Sequence, residues 1–428
     1  MPLPHAGLFA HNAAKHAEPL QPMTQATVLN RILQPQAAPV AGHATALVLM
    51  GGGARTAYQA GVLKGIVRIL ELQRALPQRN PFPVVVGTSA GSINATFFAC
   101  RCLRWRDAID AMEALWGGLH TGDIYRADLP NIAASGFRWL SLMALGWLVR
   151  RRPRALLDNT PLAGTLNRAL DFPQLDEAIT QGALHALAVT ASSYTSGEHI
   201  SFVQGTARVQ PWSRPGRRAL LQSITVDHLL ASSAIPFVFP ATPLWVGDAL
   251  RGHSEYFGDG SMRQLSPLSP AIHLGASKIL AIGVGRAEQP APAGIKPPEP
   301  SLAQIAGHSM ATVFFDTLRA DAEQTQRLND ALAQLPASIA ERLSYRPVDV
   351  LLFLPSQPLE KIASDHVQAM PKPVRGLLRA LGATEVAGAG LASYLLFEPE
   401  FTTALIELGE RDAFERKAQV LKFFDVPQ

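Results

Sequence analysis

The sequence predicts an α/β protein whose mostly parallel central sheet is covered by helices. From Thr45 onward, short aliphatic or β-branched runs alternate with segments of helical period, the pattern of strands joined by covering helices. The first two runs also end in glycine-rich turns that open directly into a helix, which is how a parallel strand hands the chain to its crossover.

Thr45–Met50 is the first predicted strand, apolar throughout and therefore buried on both faces. After the glycines, Ala54–Leu72 carries Leu63, Ile66, Val67 and Leu70 at i, i+3, i+4, i+7, which makes it an amphipathic helix packed back on that strand. Val84–Val86 is the second strand and Ala90–Cys100 the helix after it. Further strands are expected at Ala186–Ala191, His199–Val203, Glu255–Phe257, Lys278–Val284 and Val348–Leu354. The Pro-rich stretch Gln289–Pro300 reads as a linker, and beyond it the chain is expected to be mainly helical apart from the strand at Val348.

Composition narrows the function. In 428 residues, 47% are hydrophobic and 17% charged, enough apolar material for a large core. A net charge of +4 is mild for this length, and no Lys/Arg tract interleaved with aromatics appears, so nucleic acid is not an expected partner. Cys100 and Cys102 stand one residue apart in an apolar helical stretch, which suits neither a disulfide framework nor a zinc site and fits a reducing compartment. His5, His11 and His16 lack the i,i+4 step that stacks two metal ligands on a helix face. Residues 1–43 are read as a flexible leader with one short helix near 25–33, lacking the marks of a secretory signal or transit peptide. A cytoplasmic protein is expected, with contact to the inner membrane face as an option.

Three motifs carry chemistry. Gly87-Thr88-Ser89-Ala90-Gly91 follows one strand and precedes a helix, the strand-turn-helix setting of a nucleophile elbow that projects a serine hydroxyl outward. Gly51-Gly52-Gly53-Ala54-Arg55 ends the preceding strand; its glycines expose N–H groups that suit a developing negative charge. Thr56 stands where a dinucleotide fingerprint needs glycine, and no phosphate-binding Walker sequence exists. In Gly258-Asp259-Gly260, an acid flanked by glycines follows a short strand; by itself such an Asp is a turn residue, but it reaches Ser89 if the two strand ends lie side by side.

The order of these motifs, with the second glycine motif about 35 residues after the first and Asp-Gly about 170 residues later, resembles the patatin-like phospholipases. Supporting stretches are Leu156–Leu162, Thr190–Tyr194, Ala231–Pro236 and the run from Asp259 through Pro267 and Leu268 to Ala276. The resemblance covers roughly residues 45–285. It implies a three-layer α/β/α fold over 44–288 with a helical extension over 289–428, Ser89 as nucleophile and Asp259 as base. Gly51, Gly52, Gly53, Ala54 and Arg55 become the oxyanion loop, Gly87, Thr88, Ala90 and Gly91 the elbow, and Gly258 and Gly260 the acid loop. No metal or organic cofactor is required. Two positions depart from the family pattern: Thr56 replaces a glycine, and Ser261 replaces a Gly or Ala.

The implied substrate is a phospholipid or other acyl lipid, cleaved at a carboxylic ester through an acyl-enzyme. Rival readings are a Ser-Asp-His triad using His273, with His228 a further histidine expected to be structural; a lipid-sensing protein that keeps the fold without the activity; and a transacylase. Phe137–Arg154 holds Trp139 and Trp147 among aliphatics, then Arg150, Arg151, Arg152 and Arg154. It is too short to span a bilayer, and is either a buried helix or a contact with an anionic membrane surface.

Overall fold

A computed structural model describes residues 44–128, 155–247, 252–285, 317–340, 342–343, 345–380 and 389–427. The leader at 1–43, the segment Phe137–Arg154 and the Pro-rich stretch Gln289–Pro300 lie outside the described residues. The fold described is that of the unit Pro39–Gln428.

Ten strands among the described residues form one sheet: β1 (Ala44–Leu49), β2 (Val84–Thr88), β3 (Ala186–Ser193), β4 (His199–Gly205), β5 (Ser213–Arg214), β6 (Arg217–Leu221), β7 (Thr242–Val246), β8 (His253–Gly258), β9 (Ala276–Ile282) and β10 (Asp349–Phe353). The order is β10-β9-β1-β2-β3-β4-β6-β5, with β8 added to β3 and β7 to β8. The five strands β10, β9, β1, β2 and β3 are mutually parallel, and antiparallel pairing is confined to the other side of β3 and to β7 and β8. All seven expected strands are present. The additional strands β5, β6 and β7 escape a pattern reading because they are short or polar: β5 and β6 flank a Pro-Gly turn with arginines, and β7 holds Pro243 on an edge.

Side chains alternate across the central strands. Leu47 and Leu49 of β1, Val85 of β2, and Leu280 and Ile282 of β9 enter one core cluster; Ala46, Val48, Val84, Val86, Ile279 and Ala281 enter another. A sheet buried on both faces explains why these strands read as continuous apolar runs. On the first face lie α1 (Ala57–Leu72), α2 (Ala90–Arg101), α3 (Trp105–Gly118), α4 (Thr160–Ala169) and α5 (Val226–Ser232). On the second face lie α6 (Ser269–His273) and Leu318 of α7 (Thr317–Ala333). This is the three-layer α/β/α arrangement expected.

Residues after 285 complete these layers. β10 lengthens the sheet beside β9, and α8 (Leu359–His366), α9 (Ala389–Leu395) and α10 (Pro399–Glu415) join the first face. α10 lies directly on α1: a Cβ at Gly61 would overlap the Ile406 carbonyl, and one at Gly409 would overlap that of Tyr58, so the two backbones approach as only glycine permits. The contact carries one buried polar knot. Asp412 accepts from the Tyr58 hydroxyl at 2.7 Å, the Ser356 amide at 2.9 Å and the Ser356 hydroxyl at 2.6 Å. Replacing Asp412 with Ala strands three donors, one of them, the Tyr58 hydroxyl, in the interior. Urea denaturation is expected to show a loss of about 3 kcal/mol, whereas a loss within error would mean that the knot contributes nothing to the packing of α10.

Candidate active site

The site forms where two strands meet end to end. Thr88, the last residue of β2, pairs with Thr190 of β3 in parallel, while Gly258, the last residue of β8, pairs with Ser192 in antiparallel. The opposite edge of β3 is taken by β4 over the same residues, so β2 and β8 run toward each other along one edge. Continuing each register by one residue brings Ser89 and Asp259 together beside Ala191. The Ser89 Oγ donates to Asp259 Oδ2 at 2.5 Å.

Ser89 has the strained backbone of an elbow, φ 54° and ψ −135°, between β2 and the first turn of α2. The turn closes tightly enough that a Cβ at Gly91 would overlap the Leu49 and Met50 carbonyls. Four residues missed by the sequence reading hold the pair. Ser232 accepts from the Ser89 amide through its hydroxyl at 2.9 Å and from the Gly260 amide through its carbonyl at 2.9 Å, bridging both loops. The Ala234 carbonyl takes the Asp259 amide at 3.0 Å. Gln264 donates to the Thr88 hydroxyl at 3.0 Å, and the His199 Nε2 donates to the Gly260 carbonyl at 2.9 Å. Ser232 and Ala234 sit in one of the supporting stretches; His199 and Gln264 lie in no motif, so local sequence offers no signal for them.

Asp259 is fully buried. Burial pushes its carboxyl up to about 7, against the opposing effect of hydrogen bonds from the Ser89 hydroxyl and the Ser261 amide. A carboxylate poised there is a far better base at neutral pH than a solvated one. The Ser261 hydroxyl is itself buried and has no hydrogen-bond partner among the described residues. It lies beside Gly51, where an added Cβ would fall 2.8 Å from it and 3.1 Å from the Ser89 Oγ.

The glycine loop stands over Ser89. Gly53 has φ 57° and would drive a Cβ into the Tyr394 carbonyl of α9, so the loop rests on the C-terminal helices. Among the described residues, no acceptor takes the amides of Gly51, Gly52, Gly53 or Ala54. Arg55 differs from the rest of the expected oxyanion loop. Its amide already donates to Gly52 O at 3.2 Å, and its buried guanidinium turns away to Ser393 at 2.7 Å, Glu360 at 2.8 Å and the face of Tyr394. Its side chain anchors α8 and α9 under the loop.

Neither rival histidine hydrogen-bonds the pair. His228 caps α5, taking the Thr225 amide at 3.0 Å on Nδ1, and its ring packs on Phe202. His273 stacks on Trp212 with centroids 4.9 Å apart. Burial, first of all, lowers both to about 4, so each is neutral at pH 7.

From Ser89 a narrow apolar cavity of about 50 Å³ runs between the helices, lined by Ile93 and Phe97 of α2, Leu115 and Trp116 of α3, Leu162 and Leu166 of α4, and Phe397 among others. The sequence profile of the patatin-like phospholipase family matches residues 47–272, more than half of the chain. The chain belongs to this family. At the level of the family, it is a lipid hydrolase. Among solved structures, the patatin-like chain is similar to VipD from Legionella pneumophila, with 14% identity over 86% of this chain and 67% of that one and a TM-score of 0.26. It is also similar to a chain in the complex of full-length SpcU with full-length ExoU from the type III secretion system of Pseudomonas aeruginosa, with 17% identity over 83% and 71% and a TM-score of 0.24. No curated protein matches it.

An acid held near 7 opposes folding once it ionises. The folded pKa of Asp259 lies above its unfolded value of about 3.9, so the neutral form's contribution to stability is complete at low pH and is lost as pH rises through about 7. Asp259→Asn in this patatin-like protein is therefore expected to melt higher than the parent at pH 8, by at most about 4 kcal/mol, with the difference vanishing toward pH 4. Equal melting at pH 8 would mean that the carboxyl is not raised.

Proposed function

We propose that this protein is a serine lipid acyl hydrolase that cleaves carboxylic esters of phospholipids or related acyl lipids through Ser89 and Asp259. The observation that carries the reading is the 2.5 Å hydrogen bond between the Ser89 hydroxyl and a fully buried carboxylate, at the end of an apolar cavity.

In this mechanism, Asp259 accepts the Ser89 proton as the Oγ attacks the ester carbonyl. The tetrahedral oxyanion is held by the amides of the Gly51-to-Ala54 loop, which have no competing acceptor among the described residues. Asp259 then returns the proton to the departing alcohol, leaving an acyl-enzyme whose chain lies along Ile93, Phe97 and Leu166. Water, deprotonated by the same carboxylate, releases the fatty acid. A narrow apolar cavity suits a linear acyl chain better than a branched or polar group.

Contact with a lipid surface belongs to the same proposal. Trp245 and Tyr256 stand exposed on one face of the β7–β8 ladder, the strand that leads to Asp259, and Phe237 is 78% exposed beside the cavity residues Ile235 and Phe239. Exposed aromatics of this kind favour the head-group region. From its sequence alone, the basic segment Phe137–Arg154 is proposed to contact an anionic lipid surface.

Fatty acid release from phospholipids and lysophospholipids is the test. Ser89→Ala and Asp259→Asn are each expected to lose about 10²–10⁴ in rate, while folded His273→Ala and His228→Ala keep theirs. For the parent, kcat/KM is expected to rise with pH through about 7 and then level off, as Asp259 gives up its proton. If His273→Ala fell as far as Asp259→Asn, the two-residue mechanism would have to be abandoned for a triad.

A further inference from the structure

The apolar cavity has a direction and an end. Its α2 wall is Ala90, Ile93 and Phe97, three positions on one face of the helix, so the cavity follows α2 away from Ser89. α4 lines it from Leu162 through Leu166 to Ala169, and α3 adds Leu115 and Trp116. Trp116 is fixed beside the middle of α2, where its indole Nε1 donates to Asn94 at 2.8 Å. The next residue on the same α2 face is Arg101, and it is not part of the wall. Its guanidinium lies over the Phe97 ring, 4.0 Å from the centroid, and donates to the Ala169 carbonyl at 2.9 Å. Arg101 and Ala169 are the last residues of α2 and α4, so one side chain ties the two helix ends together at the far end of the cavity.

The helix supplies a scale. From Ser89 to Phe97 the rise is about 12 Å at about 1.5 Å per residue. An extended acyl chain, with C–C bonds of about 1.5 Å at tetrahedral angles, advances about 1.25 Å per carbon, so about ten carbons reach Phe97. The space is also narrow. A single water needs about 10–15 Å³ of such room, so about 50 Å³ drawn out along α2 is a single file. Beyond Phe97 a chain meets a cation. The Arg101 Nη1 is buried with no hydrogen-bond partner among the described residues, which faces a methyl terminus with a polar group in place of further hydrocarbon. A longer chain passes only if the guanidinium leaves both the Phe97 ring and the Ala169 carbonyl, and that forfeits a cation–π contact and a charge-assisted hydrogen bond.

We propose that this cavity gauges the acyl group: it takes unbranched chains of up to about ten carbons, and the Phe97–Arg101 pair is its stop. The proposal rests on the hydrolase reading and adds to it the chain length of the substrate.

Competition between two chain lengths is the test. The full-length protein is given p-nitrophenyl decanoate and p-nitrophenyl hexadecanoate together in the same mixed micelles, and the fatty acids released are counted by mass spectrometry. Their ratio reports the ratio of kcat/KM whatever fraction of the protein is folded. The parent is expected to favour decanoate at least about tenfold. Arg101→Ala, which removes the stop, should move the ratio toward equal release. Phe97→Leu, which takes away the ring beneath the guanidinium, should move it the same way and serves where Arg101→Ala does not fold. Arg104→Ala, an exposed arginine three residues further on, should keep the parent's ratio. Release of neither acid by the parent would overturn the hydrolase reading and the gauge with it. Equal release of both by the parent, a preference for decanoate that persists in folded Arg101→Ala and Phe97→Leu, or a ratio shifted as far by Arg104→Ala would overturn the gauge alone.

Discussion

The hydrogen bond between Ser89 and Asp259 exists only because two strands of opposite direction dock on one edge of β3 and stop one residue short of each other. Nothing local in either loop could bring them together, since they are 170 positions apart in the chain. The sheet register does it, and most of the surrounding structure serves to hold that register. Ser232 ties the serine loop to the acid loop, Thr88 meets Thr190 across the ladder at 2.9 Å, and Gln264 closes on Thr88 from the other side.

This meeting point is costly in three ways that the fold has to offset. Ser89 sits in a strained backbone region, the glycine loop is pressed against it so closely that Gly51 tolerates no side chain, and a carboxyl is placed wholly out of water. The offset comes from a core that continues past the matched family region. β10 widens the sheet, α10 packs on α1 through backbone contacts that need glycine, and Arg55 binds α8 and α9 beneath the glycine loop. The C-terminal helices thus brace the glycine loop beside Ser89.

Much of this was legible in the sequence because it depends on neighbours along the chain. Alternation of apolar runs with helical periods located the parallel strands, and the two glycine motifs are short-range requirements for a strained turn and a bare backbone. The same logic fails where the partner is remote. Ser232, His199 and Gln264 look like ordinary polar residues until β4 pairs with β3 and the acid loop is brought beside the end of β2. Arg55 reads as part of an anion-facing motif, yet its partners Ser393 and Glu360 lie more than 300 positions away and draw it to the opposite side. The hairpin of β5 and β6, rich in arginine, has no apolar run to mark it in the sequence, and only the sheet makes it a strand pair.

The central claim is that a lone buried carboxylate activates Ser89, and the rate of covalent labelling by a fluorophosphonate as a function of pH tests it most directly. Peptide mapping is expected to find the adduct on Ser89 alone, with a rate that climbs through a single ionisation near pH 7 and keeps that profile in His273→Ala, His228→Ala and His199→Gln proteins that remain folded. An adduct on another serine, or a profile that loses its ionisation when one of those histidines is replaced, would contradict the account.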